Sequence, residues 1–297
     1  MNIPGEYITV RANGLEFEVL SAGEGERLAL LLHGFPEHAI SWRHQIPLLV
    51  SLGYRVWAPN QRGYGNSSRP PAVADYEISH LLDDVTALID ASGATSVTLI
   101  GHDWGAAVAW FYALRPARPL ERLVIMNGPH PAIFSKALRT RRQRARSWYM
   151  RFFQYPYVPE KLLGARHAYL IGEMFLRTAT DPSRFPPELI RIYRDQASRP
   201  GTLTAMLNWY RAARRGVRAL PRGFPIIETP TLILWGEVDQ ALGKETTYGT
   251  GRYVADLQLC YLPGVSHWVQ QDAPERVNEL LEPFLHAAAR AREELAS

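Results

Sequence analysis

The run Val97-Thr98-Leu99-Ile100-Gly101-His102-Asp103-Trp104-Gly105-Ala106 constrains this chain more than any other. Its apolar first half reads as a strand buried on both faces. It passes directly into a turn with glycine two places either side of an acidic residue. Residues 106–114 then read as an apolar helix, stopped near Pro116. A strand-to-helix turn this tight leaves no room for side chains two positions from its apex, which is why Gly101 and Gly105 are needed. The apex residue is strained, and its side chain stands above the sheet. Serine is the usual occupant of such an elbow, but here it is Asp103. A carboxylate is ionised at neutral pH, so it attacks carbon without help from a base and forms an ester.

The rest of the chain supplies a setting for that turn. Residues 7–11 and 15–20 alternate in polarity around Asn13-Gly14 and predict an antiparallel hairpin. Residues 28–32, 54–58 and 123–126 are further apolar runs, and Leu81, Leu82, Val85, Leu88 and Ile89 form one helical stripe. Strands alternating with helices predict a mostly parallel sheet flanked by helices. Between residues 133 and 224 no buried strand is evident. Residues 231–235 and 257–262 resume the strand pattern, and 274–289 reads as a closing helix. The expectation is an α/β core of residues 1–131 and 225–297, with a helical cap of residues 132–224 inserted at the carboxyl ends of the strands, where open α/β sheets place their ligand sites.

At those strand ends lie two more motifs. His33-Gly34-Phe35-Pro36-Glu37 follows residues 28–32 and leaves backbone N–H groups free at the sheet edge. The N–H groups of Phe35 and Trp104 are therefore candidates for an oxyanion hole. In chain order nucleophile, acid, histidine, Asp103 is followed by Asp239 in Trp235-Gly236-Glu237-Val238-Asp239 and by His267 in Ser266-His267-Trp268. Asp239 is preferred as the acid because the alternative place, after residues 123–126, holds Asn127 and Gly128. Glu237 is a lesser rival. His33 is expected to pack in its loop, His102 to be tied up in the elbow, and His130 to sit near the junction with the insertion.

Together these motifs resemble those of the α/β-hydrolase epoxide hydrolases, over nearly the whole chain. Ser147-Trp148-Tyr149 with Phe152-Phe153-Gln154 looks most like the branch of epoxide hydrolases 3 and 4 and their bacterial relatives. The resemblance implies an α/β-hydrolase fold and a role for Tyr210, in Asn208-Trp209-Tyr210-Arg211, as proton donor to the epoxide oxygen. A second cap tyrosine usually precedes the Phe-Gln pair. Here Phe152 stands there, and Tyr149, one helical turn earlier, is the candidate substitute. Asn60, in Asn60-Gln61-Arg62-Gly63, replaces the family's usual Asp in a structural loop. Trp104, Phe35, Phe152, Trp209 and Trp268, with Trp148, are expected to line an apolar pocket. The implied reactants are a small apolar epoxide and water, with no metal or cofactor.

Two other readings stay open. A haloalkane or haloacetate dehalogenase shares the Asp nucleophile, but the former usually carries Asn where Phe35 stands and the latter Arg where Trp104 stands. A ligand-binding module would keep the fold without the chemistry. The net charge of +4 is modest. The cluster Arg139, Arg141, Arg142, Arg144 and Arg146 reads as a solvated helix face rather than a nucleic-acid or membrane patch. Cys260, the single cysteine, allows no internal disulfide and reads as packed in a strand. No signal peptide and no stretch of about 20 apolar residues is visible, so the expected location is cytoplasmic, without a membrane anchor. A homodimer is left open.

Overall fold

A computed structural model describes residues 3–216 and 223–296. Its centre is a sheet of β1 (Glu6–Ala12), β2 (Leu15–Ala22), β3 (Arg27–Leu32), β4 (Arg55–Pro59), β5 (Ser96–His102), β6 (Arg122–Met126), β7 (Thr231–Gly236) and β8 (Leu257–Leu262). The spatial order is β1-β2-β4-β3-β5-β6-β7-β8. β2 runs antiparallel to both neighbours, and the pairs from β4 through β8 are parallel. Asn13 and Gly14 close the β1–β2 hairpin with φ of 49° and 69°, the left-handed pair that a two-residue Asn-Gly turn accommodates.

The helices of the first half are α1 (Ile46–Ser51), α2 (Ile78–Ser92) and α3 (Trp104–Leu114). β5 and β7 are buried along their whole length because helices cover both faces of the sheet. α2 turns Leu81, Val85, Leu88 and Ile89 inward, while α3 is apolar nearly all round and buried likewise. β8 lies at the sheet edge and is only half-buried. Cys260 packs within it, and burial raises its thiol pKa.

Between β6 and β7 the described residues form helices and no strand longer than an isolated bridge at Ile227. These helices are α4 (Pro131–Ala137), α5 (Arg141–Arg146), α6 (Trp148–Phe152), α7 (Val158–Thr178), α8 (Pro187–Ala197) and α9 (Thr202–Gly216). α9 lies on the loop after β4, where Ala205 touches Gly63 and the Trp209 indole donates to the Arg62 carbonyl. α10 (Val269–Asp272) and α11 (Pro274–Ala296) follow β8. α11 runs past residue 289, where its apolar pattern ends, because the Ala-, Arg- and Glu-rich sequence beyond favours helix by itself.

Candidate active site

Asp103 occupies the apex between β5 and α3 with φ 49° and ψ −113°, a conformation that costs a non-glycine residue about 1–3 kcal/mol. A Cβ on Gly101 would strike the Gly105 carbonyl, and one on Gly105 would strike the Leu32 carbonyl. The glycines are therefore required by backbone rather than by each other's side chains. Gly34 has a third such role: a Cβ there would lie 2.8 Å from Asp103 Oδ1. Its absence lets the loop after β3 close on the carboxylate, and the Phe35 N–H donates to Asp103 Oδ1 at 2.8 Å.

The other oxygen of Asp103, Oδ2, faces His267 Nε2 at 3.6 Å. His267 Nδ1 lies 2.6 Å from Asp239 Oδ2. Asp239 is buried, and its lone pairs are filled. Oδ1 accepts the N–H groups of Ala241 and Leu242 at 2.7 and 2.8 Å, and Oδ2 also accepts Asn127 Nδ2 at 2.7 Å. Burial alone would raise the pKa of Asp103, but the hydrogen bond and charge of His267 outweigh it and hold the carboxyl low. The same balance, with Asn127 and Leu242 added, keeps Asp239 low. Burial would lower the pKa of His267, yet the charge of Asp239 and the hydrogen bonds to both carboxylates push it well above its ordinary value. Glu237 instead pairs with Lys244 at 2.6 Å in a more exposed place.

Two polar groups beneath this triad had no role assigned from sequence. Glu37 is fully buried. Its Oε2 accepts the Gly34 N–H at 2.9 Å and lies 2.7 Å from His102 Nδ1, while Oε1 accepts the amides of Gln270 and Gln271. His102 Nε2 lies 2.8 Å from the His267 carbonyl. One carboxylate thus links the loop after β3, the elbow and the His267 loop. Asp272 is the second. It accepts the Ser266 N–H at 3.1 Å from beside His267, and those of Thr180 and Asp181, past the end of α7, at 3.1 and 2.9 Å. Asn127 could have been found from sequence: it fills the alternative acid position, with φ 40°, and its side chain bonds both Gly236 N and Asp239.

Above Asp103 the helices between β6 and β7 contribute rings. Tyr210, on α9 and buried, meets Phe35, Trp104 and Phe153 at ring distances of 5.3, 5.0 and 4.9 Å. Tyr149, on α6, lies 6.0 Å from the Tyr210 ring. Burial and then the charge of Asp103 raise both phenols, with Asp239 adding to the effect on Tyr149. Both therefore keep their protons at neutral pH. Trp209 edges onto Trp104 at 5.7 Å, and Trp268 packs between His267 and Phe175. Phe152 is half-buried, packs against the edge of the core and pairs with the rings of Trp148 and Phe153. Phe153 is the ring that reaches Phe35 and Tyr210. Trp148 is 63% exposed, with its ring against Phe152. His33 packs under Tyr64, and His130 caps α4 and stacks on Tyr253. Asn60 bonds Ala39, Glu18 and His38, a structural knot.

Comparison with known proteins gives the same picture from outside. The family model for the alpha/beta hydrolase fold matches residues 30–274. Epoxide hydrolase 4 of Homo sapiens is 36% identical over 97% of this chain and 80% of its own length. AB hydrolase superfamily protein YfhM of Bacillus subtilis is 37% identical over 93% and 96% respectively. The crystal structure of an epoxide hydrolase from Bacillus megaterium, in complex with an inhibitor, superposes with a TM-score of 0.85 at 29% identity. That match covers 94% of this chain and all of the other.

Proposed function

The chain belongs to the alpha/beta hydrolase fold family and, within it, to the epoxide hydrolases, and from that premise we propose that it opens an apolar epoxide to a vicinal diol through an ester on Asp103. The observation that carries this is the division of labour on one carboxylate. Oδ1 is held by the Phe35 N–H, while Oδ2 faces His267 below a pair of protonated tyrosines.

In the first step Asp103 Oδ2 attacks an epoxide carbon and the carbon–oxygen bond of the ring breaks. Tyr210, assisted by Tyr149, gives its proton to the leaving oxygen, which would otherwise depart as a poor alkoxide. In the second step His267 takes a proton from water, and the resulting hydroxide attacks the carboxyl carbon. The Phe35 and Trp104 N–H groups hold the oxyanion on Oδ1. Collapse releases the diol, whose oxygen takes the proton from His267. The proton on the re-formed carboxyl restores Tyr210. Asp239 fixes the imidazole and stabilises its positive charge.

His267 changes character between the steps. Beside the free Asp103 carboxylate its pKa is raised. Ester formation removes one of its two neighbouring anions, so its affinity for protons falls, but it becomes free to act as base at the moment water must be deprotonated. The ring wall of Phe35, Trp104, Phe153 and Trp209 favours an apolar substituent on the epoxide. Among the described residues no helix is long and apolar enough to cross a membrane. A lone cysteine fits a reducing compartment, and we place the enzyme in the cytoplasm.

His267→Gln tests the mechanism. Incubation with an aryl epoxide is expected to raise the intact mass by the whole epoxide, with the adduct on Asp103. A haloalkane would add only its alkyl group. An adduct from the haloalkane and none from any epoxide would replace this reading with dehalogenation.

A further inference from the structure

The insertion carries an exposed surface that the chemistry does not use. Residues 132–172 hold nine of the chain's 33 basic residues and one of its 29 acidic ones, Glu160, so the remainder of the chain is net negative. Glu160 is itself neutralised by Arg211 at 2.7 Å. Arg142 and Arg146 reach Glu245, but among the described residues Arg139, Arg144, Arg151 and Lys161 form no ion pair. The basic stretch therefore keeps most of its charge unneutralised.

Large apolar side chains are exposed in the same stretch. Trp148 and Tyr155 are each 63% exposed and Tyr157 is 83% exposed, with Val158 and Leu162 following one helical turn apart at the start of α7. Tyr157 caps α7 with φ 62°, a conformation that is costly for an aromatic residue. Exposed aromatic area and a strained backbone within one short stretch point to a partner outside the molecule. α6 is two-sided: Tyr149 faces Tyr210, while Trp148 and Arg151 face solvent.

We propose that the tip formed by Trp148, Tyr155, Tyr157, Val158 and Leu162, ringed by Arg151 and Lys161, docks peripherally on an anionic lipid bilayer. Charge selects this occupant. A two-fold contact between copies would set cations against cations. Nucleic acid would satisfy the cations and stack on the aromatic rings, but Val158 and Leu162 would gain nothing from it. A bilayer interface takes all three: aromatic rings at headgroup depth, aliphatic groups just below and cations on the anionic lipids. Docking would set the helix that carries Tyr149 beside the phase in which apolar epoxides dissolve. Only that consequence rests on the epoxide reading; vesicle binding, measured without substrate, is judged apart from it.

The test is sedimentation of the full chain with vesicles of phosphatidylcholine alone and of phosphatidylcholine mixed with phosphatidylglycerol. Binding to the mixed vesicles at low ionic strength, weakening as salt rises, is expected. Each cation at such a surface is worth about fivefold in binding, so Arg151→Gln with Lys161→Gln is expected to weaken it about thirtyfold. Tyr155→Ser with Tyr157→Ser is expected to weaken binding as well, and both double variants are expected to keep the circular dichroism spectrum and melting temperature of the parent chain, which shows that both fold. No binding to anionic vesicles, or binding that neither double variant weakens, overturns the proposal. So does a concentration-dependent dimer dissolved by the tyrosine pair, which would make a second copy the occupant, or binding to RNA with none to vesicles.

Discussion

The floor of the site and its wall are held in different ways. On the floor, Asp103, Asp239, Glu37 and His267 come from loops at the ends of four strands, and each is fixed by directed hydrogen bonds at 2.6–2.9 Å. On the wall, Tyr149, Phe153 and Tyr210 come from α6, its C-cap and α9, between β6 and β7, and meet edge to face at 4.9–6.0 Å, held by ring packing. Hydrogen bonds specify direction and fail when one atom changes, whereas packed rings tolerate a shift of a few tenths of an ångström. The floor suits a reaction whose geometry is invariant, and the wall suits substrates that vary.

Substitutions can break this contrast or sharpen it. Asp103→Ala should remove turnover by about 10⁴-fold or more, with no ester formed even when His267 is also changed, because the oxygens of the neighbouring Asp239 and Glu37 are already taken by hydrogen bonds. Residual adduct in the double variant would mean another nucleophile. Tyr210→Phe should slow ester formation by about 10²–10⁴-fold without altering its hydrolysis once formed. Tyr149→Phe should cost less, and equal losses for the two tyrosines would show an evenly shared proton.

pH separates the two steps more gently. The carboxyl of Asp103 is held below its ordinary range, so it stays ionised as pH falls through that range, and ester formation should persist there. Ester hydrolysis needs neutral His267 and should rise with pH. Its midpoint should lie below the value found for His267 in the free protein by NMR titration, and coincident midpoints would remove the charge switch. The smallest contrast lies within the wall. Phe153→Ala should destabilise the fold by about 3 kcal/mol in denaturant titration. The same change at half-buried Phe152 should cost about 1 kcal/mol.

What was legible in the sequence follows the same division. The elbow, the hairpin at Asn13-Gly14, the strand runs and the order Asp103, Asp239, His267 all rest on local patterns, and the structure places those residues together. Glu37 and Asp272 were not legible as anchors because their partners are distant: Gln271 is 234 positions from Glu37. Phe152 and Phe153 are adjacent on a helix of five residues and its cap, too short for periodicity to say which ring turns inward. Trp148 reads from sequence as one more ring of an aromatic-lined pocket and is 63% exposed in the fold, because exposure of a large ring leaves no mark in composition.

The bond from the Phe35 N–H to Asp103 Oδ1 gives the two carboxylate oxygens different histories. In the proposed cycle Oδ1 stays as the carbonyl oxygen, while Oδ2 leaves with each diol and is replaced from water. In water enriched in ¹⁸O, the first diol released would carry no label, and from the second turnover onward every diol would carry one heavy atom. Oδ1 would stay light however long the enzyme works, so the nucleophile is in part rebuilt from solvent at every turn, around one oxygen that never exchanges.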